Sequence, residues 1–330
     1  MTSHAASPMR ADFGSASQAA VERVRLEIPG LALELLTLGA AVRRVEVDGR
    51  DVVLGHPDAQ TYVDSPFCLG VTIGRFANRI GGARVTIDGT TYILTPSEGP
   101  NTLHGGLDGF AKRIWEVTDL APDSAEFTLT SADGDQGFPG EVVVSVRYTV
   151  APGELRLDYT AATTAPTPIN LTNHIYFNPA GEASGSSDDL LLTVPAARVV
   201  EVDGSLIPTG RLIDAGEHDL RTPRRVADVA PLDTCFVIDA ADGAPVLHAT
   251  LQSADLAIDV FSDQPGLQIY TAEAMVDVPG LTGRYGPRAG VALETQNLPD
   301  APNQPGFPDS ILRPGQVHRT TTVWRFRRLA

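Results

Sequence analysis

The sequence has only two cysteines in 330 residues. Cys68 and Cys235 lie far apart, each in apolar surroundings, Pro66-Phe67-Cys68-Leu69 and Cys235-Phe236-Val237. Such a pair offers no disulfide framework and no paired metal knuckle, so buried free thiols in a reducing compartment are expected. No stretch reaches the roughly 18 uninterrupted apolar residues of a membrane-spanning helix. The first twenty residues are rich in Ala and Ser without an apolar core, so no signal peptide is read there and a cytoplasmic location is expected. Basic residues are scarce: 25 against 41 acidic ones give a formal charge of −16, with the acids scattered rather than gathered in a tail. A chain of that sign is repelled by phosphate backbones and anionic lipid, which argues against nucleic-acid and membrane partners and for a neutral small molecule or a protein. No internal repeat and no low-complexity linker is visible.

What is present is period-two alternation. Val142, Val144, Val146, Tyr148 and Val150 share one parity and Ser145, Arg147 and Thr149 the other, the pattern of a half-buried strand. Pro152-Gly153 turns the chain, and Leu155, Leu157 and Tyr159 resume the alternation, so a hairpin is predicted. Residues 84–87 and 90–94 flank Asp88-Gly89, a pair suited to a tight hairpin turn. Residues 246–251 and 256–261 form a third predicted pair, and 320–326 a closing strand. With 31 glycines and 25 prolines as punctuation, long helices have little room. The predicted fold class is all-β, a large antiparallel sandwich. At about 150 residues per domain the length suggests two domains, but all-β folds often exceed that figure as one unit. The reading is a flexible segment over 1–20 and a single domain over 21–330, with 182–189 as a second loosely ordered stretch.

Two local motifs are set aside. Asn170-Leu171-Thr172 matches a glycosylation sequon but lacks the secretory context. Asp133-Gly134-Asp135 begins like a calcium loop, yet Gly137 stands where such a loop needs Asp or Asn.

Four stretches concentrate polar side chains outside the strand grammar: GRFANRI (74–80), GPNTLHGG (99–106), NLTNHIYFNP (170–179) and ALETQNLPDAPNQPGFPDSILRPGQ (292–316). With DGDQGFPG (133–140), PLDTCF (231–236) and PGLQIYT (265–271), they make seven motifs in an order and spacing that resembles the aldose 1-epimerases, the galactose mutarotase family, from about Pro29 to the last strand. The resemblance implies a single large β-sandwich and an isomerase that interconverts the α and β anomers of an aldose such as galactose or glucose. It implies no cofactor and no metal, and a monomer or homodimer. By the same resemblance His174 is the catalytic acid and Glu294 the catalytic base. Asn78, Arg79, His104, Tyr176, Asp233 and Gln268 fall on positions that bind sugar hydroxyls. Leu298, where the family often has an aromatic, and the loosely matching stretch 272–288 depart from the pattern at positions that approach the pocket mouth in relatives.

The chemistry accounts for these residue types. Opening a cyclic hemiacetal removes a proton from the C1 hydroxyl and gives one to the ring oxygen, a task for a carboxylate and an imidazolium on opposite sides of the bond. The apolar run Val291-Ala292-Leu293 is expected to raise the pKa of Glu294, and a nearby carboxylate to hold that of His174 up. Asp233 can accept from adjacent hydroxyls, Arg79 and His104 can donate, and Tyr176 or Phe307 can lie against the ring. Three other readings stay open. One is a non-catalytic sugar-binding protein, against which the retained His174 and Glu294 argue. Another is a metal-dependent enzyme using His104, His174 and Glu294, for which no H-x-H or H-E-x-x-H spacing speaks. The third is an epimerase of hexose 6-phosphates, with Arg284 and Arg288 as candidate basic groups.

Overall fold

The computed structural model describes residues 7–239 and 243–329. Among them the strands gather into three main sheets and several two-stranded ribbons. The largest has nine strands in the order Glu116–Ala121, Ser124–Ser131, Val142–Ala151, Glu154–Thr163, His318–Arg328, Leu256–Ser262, Val246–Gln252, Leu191–Thr193 and Arg224–Arg225. A six-stranded sheet runs Tyr176–Phe177, Val291–Gln296, Gly266–Tyr270, Asp233–Val237, Arg198–Val202 and Pro208–Asp214. The third, of five strands, is built in chain order from Met9 to Asp51. Among the described residues helix is confined to Ala59–Asp64, where the Asp58 carboxylate accepts from the Thr61 N–H as an N-cap, and to short 3₁₀ turns.

The alternation legible in the sequence is the alternation of burial. Val142, Val144, Val146, Tyr148 and Val150 are all buried, and their partners Leu155, Leu157 and Tyr159 face the same way across the register Ala151↔Glu154 to Val142↔Thr163. β-branched and aromatic side chains fit such a pleated, half-buried surface. At the second hairpin both turn residues have positive φ, 50° at Asp88 and 82° at Gly89, which matches the strand twist. One continuous apolar cluster takes Val144, Tyr148 and Trp324 from the nine-stranded sheet, Leu267, Val291 and Phe177 from the six-stranded sheet, and Leu33 and Val45 from the five-stranded sheet. Cys68 and Cys235 are unbridged.

Two segments expected to be loose carry structure. Residues 1–6 lie outside the described part, but Met9–Ala16 is a strand paired with Ala19–Ile28, held by an Arg10–Glu22 ion pair and by Phe13 under the Arg43 guanidinium. Glu182–Ser184 forms a 3₁₀ turn in which the Glu182 carboxylate is buried. It accepts from the Thr282 N–H and hydroxyl and from the Tyr285 hydroxyl, which anchors the segment to the stretch 272–288. Period-two analysis cannot see either device, since both depend on partners remote in sequence. Asn170 of the sequon is 1% exposed and its amide donates to the Ala77 and Asn297 carbonyls, so a structural role accounts for it.

Phe177 and Trp324 meet edge to face at 5.2 Å between ring centroids and join the six- and nine-stranded sheets through the core. Phe177→Ala is expected to cost about 3–5 kcal/mol by leaving a cavity between sheets that cannot collapse independently. Equilibrium denaturant unfolding checks this; a loss below about 1 kcal/mol would refute the coupling.

Candidate active site

The site grows from strand register. Within the six-stranded sheet Gln268 pairs with Glu294 and Cys235 with Gln268, so these three side chains form one row on one face. The next row holds Tyr176, Ala292, Tyr270 and Asp233, paired in turn. The alternate residues Phe236, Leu267, Ile269, Val291 and Leu293 enter the apolar core on the other face. Val291 and Leu293 therefore do not wall Glu294, contrary to the sequence expectation. What surrounds its carboxylate includes Cys68, Cys235 and Tyr176, each of whose own ionisation it opposes.

Loops bring the remaining groups over this face. The His174 N–H donates to the Val71 carbonyl and its carbonyl accepts from Gly70 N–H, each at 2.9 Å, while the Asn173 amide donates to the Gly70 carbonyl. Arg79 and Ile80 pair with Leu103 and Thr102, which sets His104 beside Asn78. Asn78 and His104 both occupy the left-handed backbone region, with φ of 65° and 53°, a strained conformation held by the surrounding bonds.

The cavity has a volume of about 220 Å³ and is lined by all eight residues singled out from the sequence. It falls below the ~300 Å³ lower end for drug-sized ligands and so suits one small ring. At its floor, His174 Nε2 and Glu294 Oε1 stand 3.4 Å apart, with side chains only 8% and 2% exposed. They are neighbours rather than groups facing each other across a gap. Tyr176 stacks on the His174 ring at 5.0 Å and 29°, and His104 meets that ring edge-on at 5.3 Å. Gln268 donates to Asp233 at 2.5 Å. The Arg79 guanidinium lies 3.9 Å from Asp233 and is held from its other side by Glu98, with Nε to Oε2 at 2.6 Å and Nη2 to Oε1 at 2.9 Å.

Burial dominates the electrostatics. It raises Glu294 well above the ordinary carboxylate value, Asp233 adds to the rise, and Arg79 opposes it. It pushes His174 down to about 4, where a raised value was expected; loss of solvent outweighs the opposing backbone hydrogen bond. His104 is driven well below its usual value by burial, then by His174 and Arg79. Cys68 is pushed up to about 12 by burial and by Glu294, so it stays a thiol.

His104, His174 and Glu294 bring donor atoms within 4.8 Å of one another, a set by type able to hold a cation. The tautomer of His104 argues against it. Its Nδ1 accepts from the Asn78 N–H at 3.2 Å, so in the neutral ring the proton sits on Nε2, which is then a donor and has no lone pair for a metal.

Sequence reasoning missed Pro66, Phe67, Cys68, Leu103 and Tyr270 in the lining and Glu98 behind it. Tyr270 was within reach, two residues beyond Gln268 and thus on the same face; Phe67, Cys68 and Glu98 carry no local signal. Phe307 and Leu298 pack instead in a separate apolar cluster with Phe76 and Phe138. Arg284 pairs with Asp277, and Arg288 with Asp188 and the Val226 carbonyl; neither lines the cavity.

Comparison with known proteins agrees. The family model described as aldose 1-epimerase matches residues 22–325. Galactose mutarotase from Homo sapiens is 37% identical over 342 residues, covering 97% of this chain and 99% of that protein. Aldose 1-epimerase from Escherichia coli (strain K12) is 35% identical, covering 90% and 92%. The crystal structure of the aldose epimerase homologue from C. elegans superposes with a TM-score of 0.85 at 30% identity over 91% of this chain and 97% of that one. That of galactose 1-epimerase from Lactobacillus acidophilus NCFM, at 22% identity, shares the fold with a TM-score of 0.86 over 98% and 99%.

The support beneath His174 is testable. Gly70 has φ of 68°, and a Cβ there would fall 2.0 Å from the Val42 carbonyl oxygen. Gly70→Ala is expected to destabilise the fold by about 3 kcal/mol or more, since strain and clash add. Thermal or denaturant unfolding reads this, and near-wild-type stability would refute the close approach.

Proposed function

The chain belongs to the aldose 1-epimerase family, and from that premise we propose that His174 and Glu294 move the two protons of anomerisation on a free, unphosphorylated aldose. The enzyme is an isomerase that interconverts the α and β anomers of its sugar. The observation that carries the assignment is the 3.4 Å separation of two buried, oppositely perturbed groups at the cavity floor. Both oxygens that exchange protons are bonded to C1, so the acid and the base that serve them must stand side by side.

Glu294, made more basic by burial, accepts the proton of the C1 hydroxyl. His174, made more acidic by burial, donates from Nε2 to the ring oxygen. The bond from C1 to the ring oxygen breaks as the C1 carbonyl forms. Rotation about C1–C2 presents the other carbonyl face, and both transfers run in reverse to close the ring. The pair passes from imidazolium and carboxylate to imidazole and carboxylic acid and back, with no change in net charge. Burial penalises the charged tautomer, so the free pair rests as imidazole and carboxylic acid, and the reactive tautomer is reached when that one proton moves from Glu294 to His174 across the 3.4 Å between them. Asp233 and Gln268 then bind hydroxyls as acceptors, and Arg79 and the Nε2–H of His104 as donors. Tyr176 holds the imidazole plane beside the ring.

Charge supports an unphosphorylated substrate. The guanidinium in the lining, Arg79, has Glu98 and Asp233 beside it, and Arg284 and Arg288 have acidic partners of their own. A phosphate would meet a guanidinium whose charge two carboxylates already balance. The expected kcat/KM for glucose 6-phosphate is at least about tenfold below that for glucose, by polarimetry; equal values would reverse the assignment.

Glu294→Gln and His174→Gln are each expected to lower kcat by about 10²- to 10⁴-fold with sugar affinity within about tenfold, and the double variant to be little worse than either. Polarimetry of freshly dissolved α-D-galactose and α-D-glucose measures this, and wild-type turnover in either variant would sink its role. The pH profile belongs to the pair. The one-proton form is gained above about pH 4, where His174 loses its proton beside protonated Glu294. It is lost only at the raised pKa of Glu294. The rate of the wild type is therefore expected to fall below about pH 4 and again on the alkaline side, with a plateau between.

A further inference from the structure

We propose that Glu98, which does not line the cavity, is a positioning residue that keeps Arg79 from collapsing onto Asp233 and so keeps both available to the sugar. The inference rests on the reading of Arg79 and Asp233 as substrate-binding groups.

The argument begins with the spacing between the two charged groups. Arg79 Nη1 lies 3.9 Å from Asp233 Oδ2, too far for a hydrogen bond and close enough for strong attraction. A guanidinium with a free side chain would close that gap and form a paired, bidentate contact. Such a contact would commit the Nη hydrogens and the carboxylate oxygens that sugar hydroxyls need. Glu98 opposes this from behind by taking Nε at 2.6 Å and Nη2 at 2.9 Å, which fixes the plane of the fork and leaves Nη1 uncommitted. Arg79 is only 8% exposed, so few other positions are open to it.

The segment carrying Glu98 is built to hold it there. Glu98 and Asn101 exchange both backbone hydrogen bonds at 3.0 Å around Gly99-Pro100, closing a tight turn. The Ser97 hydroxyl donates to the Leu103 carbonyl at 3.1 Å and accepts from the Leu103 N–H at 2.9 Å. Leu103 is the residue paired with Arg79 across the two-stranded ribbon. The turn thus returns Glu98 to the outer edge of the strand that carries Arg79, and His104 follows one residue after Leu103. One loop therefore supplies a donor to the sugar and the brace for a second donor.

The test uses the whole enzyme and steady-state polarimetry on galactose and glucose, with a thermal melt of every variant. Glu98 has a side chain 39% exposed, so Glu98→Gln should fold. It is expected to raise KM about tenfold with kcat within about threefold, because binding groups are lost while His174 and Glu294 stay in place. A purely structural role would lower the amount of active enzyme and hence apparent kcat, and leave KM alone. Glu98→Asp keeps the charge and should recover part of the lost affinity. Arg79→Gln should raise KM on its own, and the double variant Glu98→Gln with Arg79→Gln should be no worse than Arg79→Gln, since the brace has nothing left to hold.

If Arg79→Gln raises KM but Glu98→Gln does not, or if the two effects add, the brace is refuted and the sugar-binding reading of Arg79 survives. If Arg79→Gln leaves KM unchanged, the reading of Arg79 fails and the brace falls with it.

Discussion

A histidine and a glutamate share a nearly dry corner 3.4 Å apart, and the rest of the molecule is arranged around that proximity. In water neither group would be unusual. Removed from it, the carboxylate holds a proton more tightly and the imidazolium less tightly, so their shared proton rests on Glu294 rather than on His174. That inversion of the order in water follows from the loss of solvent. Its cost is that the two side chains have to be held by the frame rather than by water.

The frame does this with two different kinds of structure. Glu294 stands on a central strand of the six-stranded sheet, where pairing with Gln268 and an apolar reverse face of Val291 and Leu293 leave it one direction to point. His174 comes from a loop and is fixed through its own backbone, bonded in both directions to the 70–71 segment. Above them the polar groups are held by partners in and behind the cavity wall. Glu98 holds Arg79, Gln268 holds Asp233, and the Asn78 N–H sets the proton of His104 on the nitrogen that can donate. The site is therefore polar, close to neutral around its single guanidinium, and suited to hydroxyls rather than to phosphate or a cation.

Much of this was legible in the residues. The hairpin Val142–Ala151 with Glu154–Thr163 reads directly from alternation, because one face buried and one wet is a local property of each strand. All eight residues drawn from the motif resemblance line one cavity. The errors came where a property depends on space instead of order. His174 was expected to have a raised pKa on the strength of a nearby carboxylate, but the depth of its burial, set by Tyr176 stacking on it and the sheet beneath, decided the sign. Val291 and Leu293 flank Glu294 in the chain and face away from it in the fold. Phe307 belongs to another cluster, and Phe67 and Cys68, with no pattern to mark them, form part of the wall.

The sequence by itself determined an all-β chain, its principal hairpins, and the polar motifs that supply the candidate site, because period-two burial and chemical type are carried by residues one or two apart. Tertiary structure alone decided that His174 and Glu294 are neighbours, that solvent loss sets the pKa of His174, and that Glu98 faces Arg79. Those are matters of distance and dielectric between segments as remote as residues 79, 174 and 294, and no local pattern encodes them.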